Sequence, residues 1–375
     1  MNLDLFIEPL DVLALRGNRL FGDAGSHGQS LMPPWPSVAA GALRSQILAH
    51  EGIDPRAFAA GAADHPGLGT PAQPGPFTLT AFNLARRTGG KVEPLYPPPA
   101  DLIIQRVSNR LAVERLHPRL PAAGIQTSSP LASIAVLSTG RRGKPVGGHW
   151  LTAAAWSAYL AGHPVAPEQL VAAIDLWRLD HRVGVGLDPV LQRADDGKLF
   201  SVSVVVMGRD AGFLARVTGV QAVPGGTLRF GGDGRGAAVS SAEVAWPQPD
   251  LQAIASAGRA RLVLTAPGLF SQGWLPEGAQ PQGDASVRFE APGVRARIVC
   301  AAVARAEVVS GFDIALHQPK TALRAAPSGS VYWLDELDAS AEALGKLAER
   351  GLWPGDRHDD PRRAEGFNRF TFATF

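Results

Sequence analysis

The sequence contains a single cysteine, Cys300, among 375 residues, so a disulfide within the chain is excluded. Cys300 follows Ile298 and Val299, and this apolar setting indicates a small buried residue. No apolar run approaches the roughly 20 residues that a helix needs to cross a bilayer. The first eight residues carry Asp4 and Glu8, where a secretion signal would be basic. We therefore expect a cytoplasmic protein with no membrane partner.

The sequence also lacks the usual signatures of catalysis and metal binding. Its nine histidines show neither H-x₃-H nor HExxH spacing, and there is no G-x-S-x-G elbow. The glycine-rich segment 230–236 has neither the Lys-Ser/Thr ending of a P-loop nor a dinucleotide-binding frame. We therefore expect no catalytic residue, no metal and no cofactor. One alternative stays open, in which His27 is the general base of a metal-independent ribonuclease.

Charged residues make up 19% of the chain and hydrophobic residues 45%, with a formal net charge of +2. This composition is typical of a folded protein with a sizeable core, and the length favours two domains. Pro247 and Pro249 mark the expected boundary, which gives an N-terminal domain of residues 1–248 and a C-terminal domain of residues 249–375. The proline-rich stretch 66–99 reads as part of an insertion.

Several local elements follow from pattern and capping. Leu3, Leu5 and Ile7 alternate with Asp4, Phe6 and Glu8, and this pattern predicts a strand that ends at Pro9. Ser37 and Thr152 are expected to cap helices over 39–49 and 153–160. Residues 199–207 and 213–220 flank a glycine-containing turn and predict a hairpin. Further strands at 260–265, 295–303, 330–334 and 370–372, with a helix over 339–350, repeat the order of the first half. The sequence therefore predicts an α+β fold of two tandem βαββαβ domains with long loop insertions.

Two kinds of segment are suited to phosphate. The first is the glycine-rich loop 230–236, where bare backbone and Arg235 can approach an anion, although a simple turn explains the glycines equally well. The second is a set of basic loops. One contains Arg16, Arg19 and Phe21, and others cluster around residues 106–119, 141–144 and 357–369. Solvated loops are the alternative for these clusters, and Phe21 fits a core position as well as a base-stacking one.

Short phrases along the whole chain resemble the third Cmr subunit family of type III-B CRISPR effector complexes, within the RAMP superfamily. They are the segments 8–11, 15–22, 36–37, 41–44, 182–188, 197–200, 230–235, 311–313, 319–320 and 327–332. One departure is that residues 365–369 keep a single glycine, Gly366, where RAMP proteins usually have a glycine-rich turn before the last strand.

The resemblance implies two ferredoxin-like (RRM-like) domains and a non-catalytic subunit that holds the 5′ repeat-derived tag of the CRISPR RNA. It implies contact with the large polymerase-like subunit and the first backbone subunit, and with target RNA indirectly. We expect residues 182–186 to form a turn. We expect the tag to be bound by one surface that gathers the following residues: Arg16, Arg19, Phe21, Arg44, Arg182, Gly184, Gly231, Gly232, Arg235 and Lys320. Besides the ribonuclease, a purely architectural subunit without RNA contact is an alternative.

Overall fold

The structure is a computed structural model of the chain. It describes residues 1–17, 27–28, 30–125, 127–138, 143–188, 190–191, 193–283, 286–313, 316–355 and 360–375, with the backbone alone at residues 27 and 195–197.

Helices and strands both contribute to the described fold, so the expected α+β class is confirmed. The strands are β1 Leu3–Pro9, β2 His27–Gly28, β3 Thr78–Thr88, β4 Lys91–Leu95, β5 Leu102–Val107, β6 Arg110–Arg119, β7 Ile134–Leu137, β8 Lys144–Pro145, β9 His149–Leu151, β10 Leu170–Ala172, β11 Trp177–Leu187, β12 Ala194–Met207, β13 Ala211–Thr218, β14 Gly226–Arg229, β15 Gly236–Ser241, β16 Ala260–Leu264, β17 Ala279–Pro281, β18 Val287–Ala291, β19 Val294–Ala302, β20 Glu307–Val309, β21 Phe312–Asp313, β22 Gln318–Pro319, β23 Leu323–Ala325, β24 Val331–Ala339 and β25 Phe370–Ala373. The α-helices are α1 Pro36–His50, α2 Pro55–Ala59, α3 Ala153–Leu160, α4 Ala173–Leu176, α5 Leu251–Ala257, α6 Ala341–Arg350 and α7 Pro361–Ala364, and Pro167–Gln169 form a 3₁₀ turn.

The described chain divides into two compact units. Unit 1 comprises Met1–Val92, Ala173–Glu243 and Val308–Leu323, and unit 2 comprises Glu93–Ala172, Val244–Glu307 and Arg324–Phe375. This grouping differs from the division expected at residues 248 and 249, because the chain enters each unit three times. The expected boundary therefore stays a prediction about which segments fold by themselves.

Unit 1 is organised by a six-stranded sheet in the order β14-β15-β1-β13-β3-β4. Strand β1 lies between β13 and β15 and is antiparallel to both. The expected strand is confirmed. Phe6 is 1% exposed and Ile7 0% exposed, so both faces of this strand are covered. Helix α1 begins at Pro36 with Trp35 as N-cap, so the cap expected at Ser37 is wrong by two positions. Proline is well suited to the first helical position because its fixed φ is helical and its missing N–H is not needed there.

A second sheet of unit 1 has the order β11-β12-β2. The hairpin expected between residues 199–207 and 213–220 is wrong, because β12 pairs with β11 whereas β13 pairs with β1 and β3. The turn that separates them is anchored by Gly208, whose N–H donates to the carbonyl of Leu176 at 2.7 Å. The chain therefore leaves one sheet at Met207 and enters another at Ala211.

Unit 2 contains the second six-stranded sheet, in the order β17-β18-β19-β24-β16-β25. A core of buried side chains lies on one side, among them Leu262, Ile298, Leu334 and Phe372. On another side, Val263, Cys300 and Trp333 pack with Trp156 and Tyr159 of α3. Thr152 caps α3 as expected, with its Oγ1 accepting from the N–H of Ala155 at 3.2 Å.

The segment 93–172 of unit 2 adds a four-stranded sheet in the order β7-β6-β5-β8. Strands β5 and β6 form a hairpin from Leu102 opposite Arg115 to Val107 opposite Arg110. Ser108 and Asn109 complete it with φ of 46° and 63°, the left-handed values that a two-residue hairpin turn requires. None of the helices in the described part of the chain combines the length and apolarity of a membrane span.

Candidate nucleic-acid interface

The segment that follows β1 holds the candidate site together. Leu13 exchanges two backbone hydrogen bonds of 2.8 Å with Val205 of β12. The carbonyl of Ala14 accepts from the N–H of Gly232 at 2.8 Å, and Arg16 pairs with Ser30. Residues 13–16 therefore lie between the β12 strand and the glycine-rich loop, and they bring these distant parts of the sequence to one place.

The glycine-rich loop has a fixed internal geometry. The N–H of Phe230 donates to Arg235 O at 2.9 Å, and the N–H of Arg235 donates to Gly232 O at 3.3 Å. Phe230 is fully buried and stacks on Phe213 with ring centroids 5.2 Å apart. At Gly231, φ is 81° and a Cβ would lie 2.9 Å from Ala14 O. Glycine is therefore required at this position by backbone conformation and by space.

The loop still offers backbone donors. Its residues Gly231, Asp233 and Gly234 all have positive φ, and within the described part of the chain their amides have no acceptor. Amides of Phe230, Gly232 and Arg235 are used inside the fold. The expected bare backbone is thus present at three of the seven loop positions, and these amides are able to donate to an anion.

Two expected arginines lie at this loop, Arg16 beside it and Arg235 within it, and each forms an ion pair with an aspartate. Arg16 Nη2 lies 2.7 Å from Asp233 Oδ1, and Arg235 Nη1 lies 2.9 Å from Asp11 Oδ2. The two aspartate side chains are 43% and 61% exposed, and exposed ion pairs contribute about 0–1 kcal/mol. The four charges sum to zero, so this loop offers directed donors and no net positive charge.

Arg182 and Gly184 lie in the middle of strand β11 and not in the turn expected for residues 182–186. Arg182 stands opposite Val202 of β12, which pairs in turn with Gly28 of β2. Its Nε is 3.0 Å from Asp180 Oδ2. Gly184 faces Phe200, whose ring would lie 2.4 Å from a Cβ. Gly184 therefore makes room for an aromatic ring, and its backbone is not open to a phosphate on that face.

The other residues expected at the RNA-binding surface lie elsewhere in the fold or outside the described residues. The guanidinium of Arg44 on α1 lies 5.1 Å from the centre of the Phe77 ring. Lys320 lies beside the short β21–β22 pair, where its backbone bonds to Gly311 and Ser310. Arg19 and Phe21 lie outside the described residues. Membership of these four in one surface with Arg16 stays a prediction.

The ribonuclease alternative depends on His27, whose backbone forms strand β2 rather than a loop. Its side chain lies outside the description. A different histidine, His181, has Nδ1 2.9 Å from Ser203 Oγ, but Ser203 is 2% exposed. Among the described side chains, no three His, Cys, Asp or Glu residues are grouped to hold a metal.

Asp11 and Asp233 are the residues that sequence reasoning missed. Asp233 lies between Gly232 and Gly234 of the expected loop, whereas Asp11 lies between Leu10 and Val12 and next to no expected site residue. Asp233 has a φ of 56°, a conformation that aspartate tolerates better than most residues. An aspartate inside a glycine-rich loop was the available signal, but its partner Arg16 is 217 positions away and is not visible in local sequence.

Comparison with known proteins gives one family match. A family model described as "CRISPR-associated protein (Cas_Cmr3)" matches residues 5–372. No curated protein matches the chain. Two solved structures are similar to it: a type III-B Cmr-beta complex bound to cognate target RNA, and the same kind of complex with AMPPnP, state 1. The first shares 16% identity over 88% of this chain and 86% of that chain, with a TM-score of 0.44. The second shares 14% identity over 92% and 88%, with a TM-score of 0.46.

Proposed function

The chain belongs to the Cas_Cmr3 family, which makes it a RAMP-type subunit of a type III-B CRISPR effector, and from this premise we propose that it binds the 5′ tag of the CRISPR RNA. The tag would lie on the surface formed by residues 13–16 and the glycine-rich loop 230–236. This surface is called the loop surface below. One observation supports this proposal most directly. A single hydrogen-bonded assembly of unit 1 contains Arg16, Arg235 and the amides of Gly231, Asp233 and Gly234.

The donors of the loop surface fit a ribose-phosphate strand. Asp11 accepts from one terminal nitrogen of Arg235, and a guanidinium group carries five N–H donors. Asp11 therefore orients the guanidinium of Arg235 while leaving donors for phosphate oxygens, which arginine can bind in a bidentate manner. Tag bases would be read by contacts to their edges, because single-stranded RNA exposes them.

We propose that the subunit is non-catalytic. Arginine side chains and backbone amides stay protonated near neutral pH and act as donors rather than as general bases. The Ser203 hydroxyl beside His181 is buried, so it is not placed to attack a phosphodiester. The role that fits these groups is to hold RNA, without any cofactor.

Contact with other subunits of the complex is part of the proposal. We expect the large polymerase-like subunit and the first backbone subunit as neighbours in the cytoplasm, with target RNA met indirectly. The β11–β12 pair supports a protein interface, since it exposes apolar side chains. They are Val183 at 72%, Leu187 at 57%, Leu199 at 59% and Val185 at 40%. Exposed apolar groups gathered in one place favour association with another protein.

Both units fit the tandem ferredoxin-like architecture that the resemblance implies. In unit 1, β15, β1, β13 and β3 are neighbours and antiparallel, which is the spatial order 4-1-3-2 in chain order. In unit 2, β25, β16, β24 and β19 have the same order. Helix α1 makes the first crossover of unit 1, and α6 makes the second crossover of unit 2. Each unit would then keep a different helix of one ancestral split βαβ pattern.

The test of the function is RNA binding by the double variant Arg16→Ala/Arg235→Ala. We expect the affinity for an RNA that begins with the tag to fall about tenfold or more, equivalent to about 1.4 kcal/mol, because two charge-assisted donors are lost. Filter binding against a scrambled RNA of the same composition measures whether the preference for the tag is lost as well.

The matched control is Asp11→Asn/Asp233→Asn, which removes the two acids and keeps both arginines. It should bind the tag RNA more tightly than the parent and with a steeper salt dependence. A parent chain that shows no preference for the tag, or an arginine variant that binds it unchanged, refutes the proposed function.

A further inference from the structure

One end of the small sheet in unit 2 carries three exposed cations. Arg106 lies near the end of β5, Arg110 begins β6 after the Ser108–Asn109 turn, and Lys144 begins β8. Arg106 and Lys144 are direct cross-strand partners. Arg110 stands opposite Val107, so it lies at the same end of the sheet but on the other face from Arg106. These three side chains are called the basic edge below.

The basic edge has no acidic partner within the described residues. Arg106, Arg110 and Lys144 are all exposed, and their side chains make no ion pair or hydrogen bond with the described residues. The nearest acidic residues in the sequence either form another ion pair or lie away from the basic edge. Asp101 is buried against Arg261, and Glu114 stands opposite Ile103, three positions from Arg106, which is about 10 Å along the strand.

This arrangement is unfavourable for the isolated chain. Directly opposite residues on antiparallel strands have Cα atoms about 4.5–5.5 Å apart, and like charges in such a pair repel each other. The Arg–Asp pairs of the loop surface show that this fold can place an acid beside an arginine. An uncompensated pair of opposed cations is therefore best explained by an anion that comes from outside the chain.

The chemistry of the surroundings favours a phosphate backbone over an acidic protein. Protein interfaces have an apolar, often aromatic centre. Within residues 102–119 and 143–149 of the described chain, no large hydrophobic side chain is substantially exposed, and the sequence there contains no Phe, Tyr or Trp. Without aromatic rings for stacking, contact to a single strand is made through its phosphates and carries little sequence information.

We propose that the basic edge is a second nucleic-acid contact, which binds the phosphates of a single strand without regard to sequence. The inference rests on the proposed function, because it assumes that the chain works on RNA. It goes beyond that function because the residues lie in unit 2 and not on the loop surface of unit 1. The loop surface is electrically balanced and supplies directed donors, whereas the basic edge supplies net charge.

The test uses the full chain and homopolymeric single strands, oligo-U and oligo-C RNA and oligo-dT DNA of equal length. We expect Arg106→Ala/Lys144→Ala to lower the salt slope of log K by about 1.4, since each phosphate contact on a single strand contributes roughly 0.7. The loss should be equal for U and C, and equal losses on RNA and DNA would show that phosphate is the shared determinant. A loss on RNA alone would assign the contact to the 2′-hydroxyl and overturn the proposal.

The matched control is Arg288→Ala/Lys346→Ala. It also removes two exposed cations of unit 2, but these two have partners in Glu290 and Glu342, so its slope should stay near that of the parent. The conservative exchange Arg106→Lys/Lys144→Arg should keep the slope and show that charge, rather than local folding, is measured.

Three results would overturn the inference. The first is an unchanged slope in Arg106→Ala/Lys144→Ala, and the second is an equal loss in the control. The third is loss of binding to polyglutamate but not to RNA, which would assign the edge to an acidic protein. The preference for tag RNA over scrambled RNA reports on the loop surface separately, so the failure of one proposal is distinguishable from the failure of the other.

Discussion

At the scale of single residues, Arg261 carries a positive charge that is almost completely buried. This guanidinium is 1% exposed, and its Nη1 lies 2.7 Å from Oδ2 of Asp101, which is 0% exposed. Its other nitrogens donate to the carbonyls of Thr374 and Tyr159. The Tyr159 hydroxyl donates to Asp101 Oδ1 at 2.8 Å. Burial first, and then the charge of Asp101, raise the pKa of Tyr159 well above its ordinary value. The phenol therefore stays a donor at any physiological pH.

Breaking this pair should destabilise the protein strongly. Asp101→Asn leaves the buried charge of Arg261 without its counter-ion, and we expect a loss of about 3–5 kcal/mol in the free energy of unfolding. Urea denaturation followed by circular dichroism measures it. The surface variant Glu342→Gln, which breaks the exposed pair with Lys346, should leave the free energy of unfolding near that of the parent, because solvent screens exposed ion pairs.

A double-mutant cycle separates the pair from local packing. Asp101→Asn/Arg261→Gln should cost clearly less than the sum of the two single variants, because the second change removes the charge that the first left unpaired. Additive costs would contradict the buried ion pair as the source of the effect.

At the scale of elements, α6 shows how far local chemistry specifies a structure. Ser340 caps the helix, with Oγ accepting from the N–H of Ala343 at 3.1 Å, and Gly351 follows its last turn with a positive φ. Leu344 and Leu347 are buried at the same helix face. The expected helix over 339–350 is therefore confirmed, because cap, apolar spacing and stop signal all lie within a dozen residues.

Loss of the α6 cap should weaken unit 2 by a modest amount. Ser340→Ala removes the acceptor for an N–H of the first turn and should lower the free energy of unfolding by about 1 kcal/mol. Ser157→Ala is the control, because Ser157 lies inside α3 and its hydroxyl donates back to Ala153 O. That change should be neutral or slightly stabilising. A cap variant as stable as the parent in urea would refute the role of Ser340.

Other elements were not accessible to local reasoning. The strand-like runs 199–207 and 213–220 were recognised as strands, yet their pairing was wrong because partner choice depends on residues far away in sequence. Strand β13 takes Leu3–Ile7 and Thr78–Arg86 as partners. The same limit applies to residues 182–186, whose two glycines suggested a turn, although one of them accommodates the ring of Phe200.

At the scale of the whole molecule, the main feature is that each unit is assembled from three separate segments. In unit 2, the face of the sheet with Val263, Cys300 and Trp333 is covered by Tyr96, Trp156 and other side chains of the segment 93–172. Burial raises the pKa of the Cys300 thiol to about 12. The thiol of the intact chain is therefore protonated and shielded at neutral pH.

This feature allows a test of the boundary expected at residues 248 and 249. A fragment of residues 249–375 lacks the segment 93–172, so we expect it to expose that face of the sheet and to lose cooperative unfolding. Cys300 is the readout, because a thiol-specific chromogenic reagent should react with the fragment rapidly and with the intact native chain very slowly. Full reaction of the intact chain in denaturant is the control. A fragment that unfolds cooperatively with a protected thiol would establish residues 249–375 as a self-sufficient domain.

The sequence by itself determined the features whose causes are local. The central strand β1, the capped helices α3 and α6, the buried character of Cys300 and the glycine loop at 230–236 all follow from neighbouring residues. Family membership also followed from the sequence, because short phrases along the chain carry it. Capping, chain reversal and apolar spacing act over a few residues, so a single sequence displays them.

The tertiary structure alone decided which distant residues meet. It paired Arg16 with Asp233 and Arg235 with Asp11, and thereby neutralised the arginines on which the sequence argument relied. It also set Arg106 opposite Lys144 and placed the segment 93–172 in unit 2. The physical reason is that strand register and ion pairing arise from contacts between parts of the chain separated by tens to hundreds of residues, and their energies depend on burial that no local pattern encodes.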